Sequence, residues 1–462
     1  IPTYGAPEAA VRAFMHLVSY ARNRETLYET PRDVPVAFQL DRSQIRTRRS
    51  ELLGGPARIL SEDASKELLS LYGIPITQPV AAEGADAAVA AARQIGYPVV
   101  LKVLSPDITH KTDVGGVLLN LASDREVREA FDKIVASARE KRPDARIDGV
   151  TVQPMVVASK GFELILGSKQ DPVFGSVILV GMGGIAAEVF QDRALGLPPL
   201  NERLAYHMLE SLRSWPLLKG YRGRPGVDLE RLVEVLMRFS YLVAESPEIQ
   251  ELDINPLLVM PDRVIALDAR VVVGPGVARP ARPYAHLAIH PYPEEYVQER
   301  SLNDGTRVVL RPIKPEDEPM WHELLASCSA QSLWFRFRYL FKEATHEMAS
   351  RFCFIDYDRE LAIVAEIEED GRRRLIGTGR LVADVDHVTA EYAVLVVDAW
   401  QGRGVGSVLT DYCLEIARQW NVRQVFGETS TDNARMLGLF RNRGFTLRQD
   451  EPQTVLAEKS LG

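Results

Sequence analysis

Two sets of residues have the types and spacing that chemistry needs, and the clearer one is the stretch QGRGVGSVLT at 401–410. Three glycines, Gly402, Gly404 and Gly406, follow an apolar run at 391–400 and precede a segment with helical apolar spacing. A strand, a glycine turn and a helix N-terminus present free backbone N–H groups and the positive end of the helix dipole. The sequence therefore predicts an anion site, most naturally for phosphate; a glycine-rich connection without a ligand is the alternative.

Two familiar phosphate motifs do not match this turn. The fingerprint G-x-G-x-x-G would need Gly or Ala where Ser407 stands, and its glycines would follow the strand directly, whereas 398–401 intervene. A P-loop would need a Gly-Lys-Ser/Thr sequence, which does not follow. The spacing Gln401-x-x-Gly404-x-Gly406 instead resembles the pyrophosphate signature of the GNAT acyltransferase superfamily, and NARMLGLFRNRGF at 433–445 is similar to its last helix.

This resemblance implies that the turn binds acetyl-CoA as cosubstrate. The backbone N–H of Val396 or Val397 would polarise the acyl oxygen where strand pairing opens. Many family members protonate the leaving thiolate with a Tyr, but this chain has Phe440 there, which excludes direct protonation by that residue. The expected cofactor-binding residues are Val396, Val397, Gln401, Gly402, Arg403, Gly404, Val405, Gly406, Ser407 and Asn433.

A general base is the second requirement of acyl transfer to an amine, because a free lysine has a pKa of about 10.4 and must lose a proton. Four side chains before or along the strand are candidates: Asp384, Asp386, His387 and Glu391. Resemblance of AEYAVLV to bacterial protein lysine acetyltransferases favours Glu391; the alternative is a carboxylate at a hairpin edge. Nearby, SLWFRFRYLF at 332–341 predicts a loop or short strand that lines a protein-substrate groove or packs in the core.

The second set of residues centres on Lys102, inside the otherwise apolar strand PVVLKVL at 98–104. A buried ammonium is costly unless it is paired, so an anionic partner is expected. The stretch SPDITHKTDVGGV follows at 105–117, with a His-Lys pair before a Gly-Gly turn. Further along, Asn255 and Asp268 offer oxygen ligands suited to Mg²⁺ shared with nucleotide phosphates.

Together and in this order, these features resemble the ATP-grasp half of NDP-forming acyl-CoA synthetases. The resemblance implies binding of ATP or ADP with Mg²⁺. Lys102 would contact the phosphates, and His110 matches a histidine that relays phosphate in true synthetases. The remaining implied residues are Gln153 and Met155 in QPMV at adenine, Glu163, Gly183 and Gly184 along the nucleotide, and Asn255 and Asp268 at the metal.

The elements that must position these residues indicate an α/β multidomain protein, with an ATP-grasp domain followed by a C-terminal GNAT domain whose mixed central sheet is flanked by helices. Helices are predicted at 62–72, 85–95, 201–214 and 228–245, and strands at 98–104, 149–157, 162–168, 176–181, 249–254 and 264–273. The predicted segments are a tail of an upstream CoA-ligase-like domain of the same native chain at 1–35, a linker at 36–57, the ATP-grasp domain at 58–273, a Pro-rich linker at 274–300 and the GNAT domain at 301–462.

Composition limits the partners. The chain has 462 residues, 46% hydrophobic and 26% charged, with a net charge of −8, so no basic field favours nucleic acid or a membrane surface. Three cysteines without a CxxC pair fit a cytoplasmic protein. We expect a protein lysine acetyltransferase that acts on acyl-CoA synthetases, with the ATP-grasp module in a sensing role. A bifunctional ADP-forming acetyl-CoA synthetase and a small-amine acetyltransferase are the alternatives, and a homo-oligomer is compatible with the sequence.

Overall fold

The computed structural model describes residues 3–27, 42–108, 111–156, 161–184, 191–274, 284, 286–339, 344–369 and 371–462. Its internal contacts divide the chain into two compact units. The central unit is Val34–Ile289, and the C-terminal unit combines His290–Gly462 with Ile1–Asp33. Helix α1 (Pro7–Leu27) belongs to the second of these, and its apolar side chains Val11, Phe14 and Leu17 are exposed.

In its described residues, the central unit contains two main antiparallel sheets and a short two-stranded one, which pairs Gly220–Tyr221 with Arg224–Pro225. Of the two main sheets, the smaller has the order β2-β5-β3-β4; the larger has the order β1-β13-β11-β6-β7-β8, with β12 beside β11. The helices are α2 (Arg42–Leu53), α3 (Glu62–Leu71), α4 (Ala85–Ile95), α5 (Asp124–Lys141), α6 (Glu202–Glu210), α7 (Trp215–Leu218) and α8 (Leu229–Glu245). The strands are β1 (Arg58–Ile59), β2 (Val80–Ala82), β3 (Val99–Leu104), β4 (Val117–Leu121), β5 (Gly149–Pro154), β6 (Phe162–Asp171), β7 (Gly175–Met182), β8 (Arg193–Gly196), β9 (Gly220–Tyr221), β10 (Arg224–Pro225), β11 (Ile249–Val259), β12 (Val264–Ala266) and β13 (Ala269–Val273).

Local signals explain the helices that position this unit's polar residues. Helix α3 begins after Ser61, whose side-chain oxygen accepts the N–H of Ala64 at 3.3 Å, as an N-cap should. Helix α4 agrees with its prediction and ends at Gly96, which has a φ of +93°. The predicted strand 264–273 is instead two strands, because the N–H of Leu267 turns to the carbonyl of Pro256 at 3.1 Å. Asp268 therefore lies in a break between strands.

The C-terminal unit is built on an eight-stranded sheet of order β14-β15-β16-β17-β18-β19-β21-β20. Among its pairs, β18 and β19 run parallel, and the others are antiparallel. The strands are β14 (Gln298–Ser301), β15 (Arg307–Pro312), β16 (Glu360–Glu369), β17 (Arg372–Ala383), β18 (Thr389–Val396), β19 (Gln424–Ser430), β20 (Thr446–Glu451) and β21 (Thr454–Ser460). The helices are α9 (Glu318–Ala326), α10 (Ala330–Phe337), α11 (His346–Cys353), α12 (Val405–Gln419) and α13 (Ala434–Asn442).

Alternation along β18 gives this sheet two differently covered faces. Tyr392 joins the apolar core around α12, where Leu409 and Cys413 are buried. Leu395 joins the opposite core, which is formed by α9, α10 and α11 and includes Trp321. Odd and even positions of β18 therefore face different helices.

Three predictions about local structure were wrong. The stretch 332–341 is not a loop or strand over its first part, because α10 is capped by Ser329, whose hydroxyl accepts the N–H of Ser332 at 3.2 Å. The predicted linker 274–300 ends too late, since β14 pairs with β15. The predicted linker 36–57 contains α2. Among the described residues, no helix combines the length and apolar character needed to cross a bilayer.

Candidate functional sites

The glycine turn, residues 401–407, has a backbone that fits an anion. Gly402 and Gly404 have φ values of +78° and +100°, a region that favours glycine, and Gly404 is the N-cap of α12. Among the residues that the structure describes, no side chain caps this helix. The first backbone N–H of α12 that donates within the helix is that of Val408, which bonds to the carbonyl of Gly404 at 3.0 Å. Across the described part of the chain, the backbone N–H groups of the first three helical residues have no recorded acceptor: Val405, Gly406 and Ser407.

Side chains hold the glycine turn in place. The amide of Gln401 donates to the carbonyl of Val396 at 3.0 Å, and its oxygen accepts from Arg435. Arg403 pairs with Asp304 at 2.5 Å and lies 4.0 Å from the centroid of the Trp400 ring. Gln401 and Arg403 therefore shape the turn, while its backbone N–H groups stay available.

The parallel pair β18–β19 opens close to the glycine turn. Its register joins 389–391 to 424–426 and stops there, although both strands continue. The N–H of Val397 donates to the carbonyl of Ile376 at 3.0 Å, so the prediction that Val397 polarises an acyl oxygen was wrong. Hydrogen-bonded pairs alternate along an antiparallel ladder, so Val394 and Val396 direct their N–H groups away from β17 and toward the opening. The role of Val396 stays a prediction, and Val394 is a further candidate that sequence reasoning missed.

Glu391 occupies the last position at which β18 pairs with β19, so it lies where the two strands separate. Its side chain is exposed. The rival Asp384 is engaged in the hairpin, accepting the N–H of Val388 at 2.7 Å. Desolvation raises the pKa of Asp384, but hydrogen bonds from Thr389 and Val388 outweigh it and hold the pKa below the ordinary value. His387 is buried edge-on against Trp420, with ring centroids 5.5 Å apart, and Asp386 is exposed in the hairpin turn.

Two predicted residues near the end of the chain have structural contacts. Asn433 caps α13 with its side chain. The Oδ1 atom accepts the N–H of Met436 at 3.2 Å, and the Nδ2 group donates to the hydroxyl of Thr429 at 3.0 Å. Phe440 is fully buried, with its ring centroid 4.7 Å from that of Phe445. A phenyl ring has no proton to give, so another group must protonate the thiolate.

In the central unit, Lys102 belongs to a group of charged side chains that we call the Glu62 cluster: Glu62, Lys66, Lys102, Lys111, Gln153 and Asp268. Glu62 lies 3.0 Å from each of the three lysine nitrogens. Lys102 also donates to the carbonyl of Leu267 at 2.9 Å and lies 3.7 Å from Asp268. The anionic partner predicted for Lys102 is therefore present. The sequence analysis missed Glu62, Lys66 and Lys111, although an acid and a lysine four residues apart on α3 were a usable signal.

The charges in this cluster perturb one another strongly. Desolvation raises the pKa of Glu62, but Lys102, Lys66 and Lys111 outweigh it and hold the pKa well below the ordinary range. Burial lowers the pKa of Lys66 to about 8, against the attraction of Glu62. For Lys111, desolvation lowers the pKa, but Glu62 and Asp268 raise it overall. The carboxylate and its lysines therefore stabilise one another's charged forms.

Two residues predicted at adenine are engaged within the unit. The Gln153 amide donates to Glu62 at 2.6 Å, and its oxygen accepts from Lys66 at 2.8 Å and from Thr77 at 3.0 Å. The buried Gln153 side chain therefore supports the cluster, and its role at adenine stays a prediction. The N–H of Met155 donates to the carbonyl of Pro98 at 3.0 Å, so this donor is also used internally.

The residues predicted along the nucleotide and at the metal do come together in pairs. The N–H of Gly183 donates to the carbonyl of Glu163 at 2.7 Å, and a Cβ on Gly184 would lie 3.3 Å from the carboxylate of Glu163. Asn255 is exposed at the bulge of β11, beside the break that carries Asp268. Two protein oxygens fit a Mg²⁺ ion that takes its other ligands from phosphates and water.

Two further observations bear on the predicted nucleotide site. Within the residues that the structure describes, no group of three or more His, Cys, Asp and Glu side chains is arranged to hold a metal ion by itself. His110 lies outside the described residues.

These geometries define two classes of domain. A small antiparallel sheet and a larger one that meet at lysines and carboxylates define an ATP-grasp domain. A mixed sheet that opens at one parallel pair, beside a glycine turn and a helix N-terminus, defines a GNAT domain. The comparisons agree: a family model for the ATP-grasp domain matches residues 51–273, and one for the acetyltransferase (GNAT) family matches 329–445.

Individual proteins match each part. The β subunit of ADP-forming acetate–CoA ligase I of Pyrococcus furiosus is 40% identical over 216 residues, 47% of this chain and 92% of that subunit. An acetyltransferase of Pseudomonas aeruginosa is 33% identical over 150 residues, 32% of this chain and 81% of that protein. Among solved structures, one match is a dinucleotide-forming acetyl-coenzyme A synthetase of Ca. Korarchaeum cryptofilum, in complex with coenzyme A, Ca-AMPCP and HgCl⁺. The two sequences are 37% identical, and the match covers 50% of this chain and 99% of that chain, with a TM-score of 0.47.

The chain belongs to the ATP-grasp family of the ADP-forming acetate–CoA ligase β subunits and carries a C-terminal domain of the GNAT acetyltransferase family. The predicted fold class is therefore confirmed. The predicted cofactors are confirmed for the domain families: acetyl-CoA for GNAT, and nucleotide with Mg²⁺ for ATP-grasp. The chain spans between 30% and 39% of the length of the longer CoA ligases and synthases that it matches.

Proposed function

We propose that this protein is a protein lysine acetyltransferase that transfers acetyl from acetyl-CoA to lysines of acyl-CoA synthetases in the cytoplasm. The observation that carries the proposal is the position of Glu391. It lies where β18 and β19 separate, and the same strand leads into a glycine turn with three available N–H groups. A base, an opening for the acyl group and an anion site therefore follow one another along a single strand.

The cosubstrate is assigned to the face of the sheet that packs on α12. The backbone N–H groups of Val405, Gly406 and Ser407 would bind its pyrophosphate, aided by the helix dipole. The N–H groups of Val394 and Val396 would meet the pantetheine arm and the acyl carbonyl in the opening, where a donor stabilises the developing negative charge.

The acceptor amine is assigned to the opposite face, where the side chain of Glu391 lies. Glu391 would accept a proton from the amine, directly or through a water, so that the neutral nitrogen attacks the acyl carbon. The departing thiolate then takes a proton from a group other than Phe440.

For the ATP-grasp domain we propose a sensing role for a nucleotide or a CoA ester. Lys102 and Lys111 are the cations that phosphates would engage, and Asn255 and Asp268 would share Mg²⁺ with them. An upstream CoA-ligase-like domain is the proposed partner of this module.

The experiment offers the protein equal concentrations of an acyl-CoA synthetase and a polyamine with labelled acetyl-CoA. We expect acetyl-lysine on the synthetase, located by mass spectrometry, and little label on the polyamine. Transfer to the polyamine alone would replace this proposal with small-amine acetylation.

A second candidate function, ADP-forming acetyl-CoA synthetase, is favoured by the intact lysine cluster and by the identity to the P. furiosus subunit. Incubation of the protein with acetyl-CoA, ADP and phosphate separates the two functions. Sustained ATP formation would support the synthetase, and its absence alongside lysine acetylation supports the transferase.

A further inference from the structure

A narrow hollow lies on the Glu391 face of the C-terminal sheet, between the sheet and the helices α9, α10 and α11. Its volume of about 10 Å³ admits one group the size of a water molecule or a carboxylate oxygen. Its walls are mainly apolar, and they include Trp321, Phe337, Phe352 and Leu395. Two guanidinium groups, those of Arg336 and Arg380, also line it. Two cations in an apolar hollow are costly unless anions accompany them.

Arg380 is only partly satisfied by the protein. It pairs with Glu360, donates to the carbonyl of Arg351 at 3.0 Å and lies 4.5 Å from the centroid of the Phe352 ring. Its Nη1 atom is buried and has no hydrogen-bond partner among the described residues. One edge of this guanidinium therefore has donors left over.

Arg336 is less satisfied still. Its guanidinium lies 5.2 Å from the centroid of the Phe337 ring and 6.0 Å from that of Phe352. In the part of the chain that the structure describes, it has no recorded hydrogen bond or ion pair. Burial, and to a smaller extent Arg380, lower the pKa of Arg336 to about 10, against the attraction of Glu391, Tyr392 and Glu360. Arg336 is thus a desolvated cation beside a second one, with no hydrogen bond or ion pair among the described residues.

The strand register connects this hollow to the proposed base. Arg380 lies directly opposite Ala393 on β18, and Glu391 is two residues before Ala393, on the same face. A diagonal pair of this kind has a separation of about 7–8 Å. A group held by the two arginines would therefore be about one side chain away from an amine at Glu391.

We propose that Arg336 and Arg380 form an acceptor subsite for a carboxylate, carried by the acceptor within a few bonds or one residue of its reactive amine. The planar guanidinium fork matches a carboxylate bidentately, and apolar surroundings strengthen that contact. The inference rests on the proposed function, because it deepens the acceptor specificity of the Glu391 site. Two sources supply this chemistry: an Asp or Glu side chain next to a target lysine, and the α-carboxylate of a free amino acid.

The test compares matched acceptors. Two peptides have Glu or Gln beside one lysine, and a free amino acid is paired with its amide. We expect wild-type kcat/KM to favour the Glu peptide by about 10-fold or more, the size of a hydrogen bond to a charged group. In Arg336→Gln this preference falls toward 1, mainly through KM. Arg336→Lys, which keeps the charge without the fork, gives an intermediate preference.

The matched control is Arg351→Gln. Arg351 lies on α11 with an exposed side chain that pairs with Glu347 at 3.1 Å, so its loss should leave the preference unchanged. Equal preference in wild type and Arg336→Gln, or an equal loss on both peptides, would overturn the subsite.

The outcomes also separate this inference from the proposed function. Transfer to lysine peptides without an acid preference overturns the subsite and leaves the function standing. Carboxylate-dependent transfer to free amino acids alone supports the subsite and overturns the protein acceptor. If no acceptor is acetylated, the function fails, and the anisotropy of labelled peptides bound in the presence of CoA still decides the subsite: tighter binding of the Glu peptide supports it, and equal binding overturns it.

Discussion

The Glu62 cluster and the Glu391 face of the C-terminal sheet both contain buried cations, but the surroundings of these cations are opposite in kind. In the cluster, one carboxylate lies 3.0 Å from three lysines, and neighbouring amide, hydroxyl and carbonyl groups take up further donors. On the Glu391 face of the C-terminal sheet, Arg336 has no hydrogen bond or ion pair among the described residues. On the other face, the N–H groups that begin α12 are likewise available. Charges that are paired within the chain need no ligand to stabilise them. Donors that are unused within the chain are free to bind a ligand.

The largest expected effect comes from removing the pairing in the Glu62 cluster. Glu62→Gln leaves three lysines without their shared counter-charge, and breaking a buried pair of this kind costs about 3–5 kcal/mol. Hydrogen exchange of the α3 amides in the full-length protein measures the loss. Glu67→Gln is the control, because Glu67 pairs with Arg48 on the exposed side of the same helix.

The stability difference between wild type and Glu62→Gln should also depend on pH. The folded-state pKa of Glu62 is depressed, so its stabilising contribution is complete above its unfolded pKa near 4.5 and is lost as pH falls. Wild type and Glu62→Gln should therefore converge below pH 4.5, with a slope of up to about 1.4 kcal/mol per pH unit. A constant difference from pH 7 to pH 3 would show that the lysines do not depend on this carboxylate.

Placing a carboxylate of the chain itself in the glycine turn should weaken acetyl-CoA binding, an effect of intermediate size. Ser407→Asp places a carboxylate at the start of α12, where it competes with pyrophosphate for the free N–H groups. We expect acetyl-CoA affinity, measured by calorimetry, to fall about 10-fold or more, while the helix gains about 0.3–1 kcal/mol. Ser407→Asn is the matched neutral variant. Equal affinity in all three proteins would mean that no anion binds there.

The smallest expected effect tests the turn's backbone alone. Gly402 has a φ of +78°, and a Cβ there would meet nothing within 4 Å, so Gly402→Ala adds only conformational strain of about 1–2 kcal/mol. Gly438→Ala, inside α13 and equally uncrowded, should instead gain about 0.8–1 kcal/mol through helix propensity. Opposite shifts in the melting temperature of the GNAT domain are the prediction; shifts of the same sign would contradict it.

Local sequence signals predicted much of the fold and half of the site. Helix α3 begins after Ser61 and α4 ends at Gly96, as expected. Glu391 lies on the predicted strand, and the glycines lie in the turn predicted after it. The predictions failed where contacts between residues distant in sequence determine the structure. Lys102 and Lys111 reach Glu62 from parts of the chain that are distant in sequence, and no local pattern predicts this. Val397 was a wrong donor because ladder alternation, which depends on the partner strand, decides which N–H faces the opening.

The arginine-rich stretch 332–341 failed for a related reason. Its alternation of aromatic and basic residues suggested a strand, but Ser329, held by Asp398 from a distant turn, caps a helix there. Asp398, 69 residues away in the chain, therefore supports the residue that caps this helix.

The most direct test of the central claim is single-turnover acetyl transfer to a lysine acceptor by wild type and Glu391→Gln, with acetyl-CoA affinity measured on the same preparations. The account predicts a loss of about 10²–10⁴-fold in the transfer rate with affinity unchanged, because Glu391 removes a proton and does not hold the cosubstrate. An unchanged rate, or a lower rate explained entirely by weaker acetyl-CoA binding, would contradict it.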